Sequence, residues 1–193
     1  MRIALKEWAV VVEALASGRQ IVLLRKGGLA ESRDGFELKH REFLFFPTWE
    51  HQQRGWIEPF KREFFEQLEP GEQDRITLQY GARVSDFVRI RPDAAALARL
   101  SDAFVWDEPY LRMRCEYKPE LPLSLVLVLV RAYSLPRPCP IPIVRRYNGC
   151  RSWVELDDEI DVAGAIELIE DAHYSELRRD LLNRVQEVRL PYL

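Results

Sequence analysis

The stretch FPTWEHQ, residues 46 to 52, sets a carboxylate, an imidazole and an amide beside a large aromatic ring just after a Pro-Thr corner. Thr48 after Pro47 suits a helix cap, which would leave Glu50, His51 and Gln52 on a first helical turn. The dipole there favours a carboxylate and disfavours an imidazolium, so His51 is expected neutral and able to serve as base or hydrogen-bond donor. With Glu50 as the partner acid or base, hydrolysis is the reaction class such a pair supports. His51 stacked on Trp49 or bonded to a carbonyl is the structural alternative. No GxSxG, HExxH or His-x-Glu with PCxxC accompanies them.

A second candidate is LLRKGG, Leu23 to Gly28. Arg25 and Lys26 stand where a strand opens into Gly27 and Gly28, and glycines let a backbone approach an anion while neighbouring bases supply charge. The string is neither a P-loop nor a dinucleotide fingerprint, so it reads either as a phosphate cradle or as a solvated turn. Asp34 with FELK superficially resembles the Asp...Glu-x-Lys set of metal-dependent nucleases. The separation of Asp34 from Glu37 is too short for that two-strand geometry.

A third set is basic: Arg112, Arg114 and Lys118, then Arg131, Tyr133, Arg145, Arg146, Tyr147 and Arg151. YLRMRCEY alternates like an exposed strand, which would project Arg112 and Arg114 to one side, where planar guanidinium groups pair with phosphate or carboxylate. Trp49, Tyr147 and Trp153 are the rings that would stack a base. The competing use of these bases is ion pairing with the acidic run Asp157, Asp158, Glu159 and Asp161.

The elements that must position these residues follow from periodicity. Leu5, Trp8, Ala9, Val12, Leu15 and Ala16 fall at helical spacing until Ser17-Gly18, which predicts an N-terminal amphipathic helix. QIVLLRKGG reads as a buried strand ending in a turn, and EFLFFP as a second strand, with Asp34-Gly35 a tight turn between them. A helix is expected over Pro59 to Leu68, and RITLQYGARVSDFVRI as one or two strands kinked near Gly81. Pro92-Asp93 opens a short alanine-rich helix. LSLVLVLVRAYSL is the central strand, and Pro136, Pro138, Pro140 and Pro142 then enforce an extended crossing. CRSWVEL is a short strand, and from Asp161 an apolar stripe running to Val188 predicts the longest helix.

Strands and helices intersperse without a βαβ rhythm, so the predicted class is α+β: a curved, mostly antiparallel sheet or partial barrel flanked by N-terminal and C-terminal helices. The 193 residues fit a single domain, 1–193, and 47% apolar with 31% charged residues is a folded composition. A formal net charge of -3 excludes a uniformly basic nucleic-acid coat and confines any such contact to a patch. Charges within MRIALKEW argue against a secretory signal, and LPLSLVLVLV is about half the length of a membrane helix, so no membrane association and a cytoplasmic location are expected. Cys115, Cys139 and Cys150 form neither a CxxC pair nor a zinc pattern. No metal site is readable, and the residues specify no cofactor.

The strings LKEW, LLRKGG, FLFFPTWEHQ, YKPELPL, LVRAYSLP and YNGCRSWVEL, which span most of the chain, resemble a bacterial family catalogued as domain of unknown function eighteen-oh-two. The resemblance implies no activity or ligand. Trp49 replaces a tyrosine of the family pattern and keeps an aromatic. Three readings follow from the residues. The first is a binding module for a nucleotide or nucleic acid, with Arg25, Lys26, Arg112, Arg114 and Lys118 on phosphate and Trp49, Tyr147 or Trp153 on a base. The second is a hydrolase using Glu50 or His51, and the third is a scaffold that meets a protein partner through the proline-rich edge.

Overall fold

The computed structural model describes residues 1–26, 36–49, 54–57, 74–116, 125–149 and 151–190. Among them the strands are β1 (Ile3–Trp8), β2 (Val22–Arg25), β3 (Glu42–Thr48), β4 (Arg75–Ile90), β5 (Leu125–Pro142), β6 (Trp153–Glu155) and β7 (Ile166–Glu167). The helices are α1 (Ala9–Ala16), α2 (Ala94–Ala98), α3 (Glu108–Glu116) and α4 (Asp171–Arg184). All seven strands join one sheet in the order β2-β5-β4-β3-β1-β6, with β7 added to β5. Only the β1–β3 pairing among these is parallel. The result is the expected α+β class, a mostly antiparallel sheet curled into a half-barrel.

Both faces of the sheet are buried, which explains the unbroken apolar runs. Successive side chains of a strand point to opposite faces. Phe43 and Phe45 of β3 accordingly enter one core, with Leu5, Val88, Val126 and Val128, while Leu44 and Phe46 enter another with Ile76, Leu78, Tyr133 and Ile141. The first core is covered by α1 and, at the other end of the chain, by Leu181, Val185 and Val188 from α4 and the turn after it.

Irregularities in the long β4–β5 pairing bend the sheet and aim side chains. Between the pairs Tyr80–Ser134 and Leu78–Cys139, residues 135–138 of β5 face residue 79 of β4 alone. Pro136 and Pro138 fall in this bulge, where a missing N–H breaks no ladder bond. The crossing expected of the four prolines is thus the second half of β5 itself. A second shift between Val84 and Asp86 leaves Ser85 as the extra residue. Its hydroxyl lies 2.6 Å from that of Tyr174, and Arg178 grips Asp86 through two bonds of 2.6 Å, so the bulge is where α4 docks.

Three expected elements differ. The first half of the N-terminal helix is β1: Ala4, Leu5 and Lys6 pair with Leu44, Phe45 and Phe46. A short apolar segment satisfies either period, and the partner strands decide. The helix proper begins at Ala9. Residues 110–116, expected to belong to a strand, instead form most of α3: Asp107 caps it by accepting from the Tyr110 N–H at 2.9 Å, and Pro109 sits in its first turn. The last helix starts at Asp171 rather than Asp161, because β7 intervenes and its Ile166 is 67% exposed instead of joining the apolar stripe. The Asp34-Gly35 turn and the helix over 59–68 lie outside the described residues.

Candidate functional site: a basic, aromatic cleft at the end of the first strand

The polar end of β1 borders a cleft of about 280 Å³. Lys6, Glu7 and Trp8 line it from β1, Leu24 and Arg25 from β2, and Thr48 from the end of β3. Trp106, Tyr110 and Arg114 reach it from α3 and the segment before it, and Gly149, Arg151 and Ser152 from the loop that leads to β6. Of the residues singled out in the sequence, Arg25, Thr48, Arg114 and Arg151 therefore converge. Among the described residues four bases and one carboxylate line it, a local positive excess in a chain whose net charge is -3.

Each charge is held by a specific contact. Glu7 Oε2 lies 2.8 Å from Arg25 Nη2, while its Oε1 accepts the Trp8 N–H at 2.8 Å. That bond places a carboxylate at the N-terminus of α1, where the helix dipole favours it. Arg25 Nη2 also donates to the Lys6 carbonyl at 2.8 Å, and its guanidinium lies over the Phe36 ring at 5.4 Å. Lys6 Nζ donates to the Gly149 carbonyl at 2.9 Å. The Thr48 hydroxyl donates to the Glu7 carbonyl at 3.3 Å. Arg114 stands one helical turn beyond Tyr110 on the same face of α3.

The cleft's apolar wall is a cluster of indoles and a phenol. Trp8 lies 4.6 Å from Trp106 in edge-to-face geometry, 5.6 Å from Tyr110, and parallel to Trp56 at 6.0 Å. Trp106 and Tyr110 are 4.4 Å apart. Trp106 and Tyr110 are buried, whereas Trp8 keeps partial exposure. Burial pushes the Tyr110 hydroxyl up to about 12, a rise aided by Glu7 and opposed by Arg114 and Arg25, so Tyr110 stays a protonated donor.

The remaining sequence candidates lie elsewhere. Because residues 110–116 are helical, Arg112 and Arg114 do not project together, and Arg112 pairs with Glu108 at 3.0 Å on the solvent side. Lys26 is buried and donates to the Cys115 carbonyl at 2.6 Å in the last turn of α3. Tyr147 is buried in the second core, its hydroxyl accepting from the Asp157 N–H. Trp153 packs against Phe36, His40 and Phe43 and donates to the Glu37 carbonyl. Trp49 packs on the second core. None of these three rings lines the cleft. Ion pairing claims other bases: Arg146 pairs with Asp157, and Arg131 with Glu167 and Asp171. Gly27, Gly28, Glu50, His51, Gln52 and Lys118 lie outside the described residues. No cluster that could hold a metal ion occurs among the described residues, and no described helix is long and apolar enough to cross a membrane.

Lys6, Glu7, Trp8, Trp106 and Tyr110 were not singled out for chemistry from the sequence. Lys6-Glu7 interrupting an apolar helical stripe was the available signal, since two adjacent charges there fit a strand end better than a buried helix face.

A curled α+β half-barrel with a basic, aromatic-walled cleft at one end defines the architecture. The chain belongs to the family described as domain of unknown function (DUF1802), whose model matches residues 4–180. No curated protein and no solved structure matches it.

Proposed function

We propose that the cleft binds a phosphate-bearing ligand, a nucleotide or nucleic acid, and that the protein is a binding module acting in the cytoplasm. The observation that carries this reading is the convergence of Lys6, Arg25, Arg114 and Arg151 around one cleft with an aromatic wall. Guanidinium groups are the side chains best suited to phosphate oxygens, and Tyr110 adds a neutral donor. Glu7 holds Arg25 in place and leaves Arg114 and Arg151, which line the same cleft, to meet an incoming anion.

Titration of the protein's five tryptophans with single-stranded RNA, single-stranded DNA and nucleotides, at low and moderate salt, tests the reading. Saturable quenching that weakens with salt and drops in Arg114→Ala and Arg151→Ala is expected. Absence of a response from every ligand overturns it.

A further inference from the structure

We propose that the cleft takes a single nucleotide unit, with an unstacked nucleobase laid against Trp8 and its phosphate between Arg114 and Arg151. This rests on the phosphate-binding reading and names the ligand class.

Trp8 has the properties of a stacking platform. Its indole contacts three rings, Trp56 in parallel, Trp106 edge-to-face and Tyr110 at a tilt, so little side-chain freedom remains to be lost when a ligand arrives. Its backbone is fixed at the junction of β1 and α1, with the N–H bound to Glu7. Trp56 does not line the cleft, whereas Trp8 does and keeps partial exposure. The charged walls stand beside this ring: Arg114 follows Tyr110 by one turn of α3, and exposed Arg151 belongs to the loop that receives the Lys6 ammonium.

The dimensions favour a small ligand. About 280 Å³ lies just under the usual range of small-molecule sites, which suits one nucleotide unit better than several. Within a duplex each base is already stacked on its neighbours and has no free face to offer, so the ligand must be a free nucleotide or a residue of a single strand.

Isothermal titration of the full chain with inorganic phosphate, ribose 5-phosphate, AMP, UMP, a short single-stranded oligonucleotide and the matching duplex separates the components. The base-bearing ligands are expected to bind about tenfold or more tighter than ribose 5-phosphate, the usual contribution of one base-on-ring stack. Trp8→Phe keeps most of that preference, and Trp8→Leu, checked for native circular dichroism, abolishes it. An oligonucleotide that binds tighter than AMP with steeper salt dependence identifies a single strand as the source; equal affinities identify the free nucleotide. Equal binding of ribose 5-phosphate and AMP, an unchanged preference in folded Trp8→Leu, or duplex binding as tight as single-strand binding overturns the inference while phosphate binding stands. No binding by any ligand overturns both.

Discussion

Arg25 of β2 grips Glu7 of β1 at 2.8 Å, although β5, β4 and β3 separate the two strands in the sheet. The sheet curls far enough for one side chain to bridge from its β2 edge to β1, the strand next to the opposite edge, and the same Nη2 donates to the Lys6 carbonyl. The side chains of Arg25 and Glu7 are only 15% and 11% exposed, so removing one partner strands a largely desolvated charge. Arg25→Ala is expected to cost about 2–4 kcal/mol in urea denaturation, and Arg25→Met combined with Glu7→Gln to cost less than Arg25→Ala alone. Equal stability of Arg25→Ala and wild type contradicts the bridge. Arg25 is for this reason a poor probe of ligand binding, and Arg114 and Arg151 are better ones.

Gly81 of β4 is required by Tyr133 of β5. A Cβ at position 81 would lie 2.4 Å from Tyr133 Cζ and 2.5 Å from its hydroxyl oxygen, closer than atoms pack. Gly81→Ala is expected to destabilise by about 2–3 kcal/mol through overpacking. Tyr133→Leu in the same chain should recover part of that loss and Tyr133→Phe little, because the ring carbons remain; recovery by Phe would place the clash at the hydroxyl alone.

Docking of α4 is predicted to be acid-labile. Burial raises Asp86, but the Arg178 and Ser85 hydrogen bonds and the Arg178 charge outweigh it and hold the carboxyl below its ordinary value of 3.8. A depressed folded value means that the contribution to stability is full above the ordinary carboxylate range and is lost as pH falls through the folded value. Asp86→Asn should cost about 1–2 kcal/mol at pH 7. The difference from wild type should shrink below about pH 4. A constant difference from pH 7 to pH 3 contradicts the assignment.

Lys26 is assigned to α3 rather than to ligand. Its ammonium reaches the Cys115 carbonyl in the last turn, where a cation meets the negative end of the helix. Lys26→Met is expected to lower stability by about 1–3 kcal/mol and to leave the salt dependence of ligand binding unchanged. A flatter salt dependence would put Lys26 on the ligand.

The parts of this architecture legible in sequence are those whose burial pattern is unambiguous. β2, β3, the run from Leu125 and the Asp93-capped α2 all appear where apolar runs or caps announce them. Ile3 to Trp8 misled because Leu5 and Trp8 fit a helical stripe, and only pairing with β3 and β6, distant in sequence, makes the segment a strand. YLRMRCEY misled because its alternation outweighed the Asp107 cap, the first-turn Pro109 and the Glu108–Arg112 pair, all of which are local helix signals. The cleft inherited both errors. Its bases Arg25, Arg114 and Arg151 were legible as residue types, but Trp8 and Tyr110 became part of a site only when β1 and α3 took their places.

The most direct test of the account is the salt dependence of single-strand binding in wild type and in Arg114→Ala, plotted as the logarithm of affinity against the logarithm of salt concentration. A phosphate contact made by Arg114 predicts a variant slope shallower by about 0.7, the counterion release of one contact on a single strand. Parallel slopes, with or without a loss of affinity, would show that Arg114 meets no phosphate and contradict the central claim.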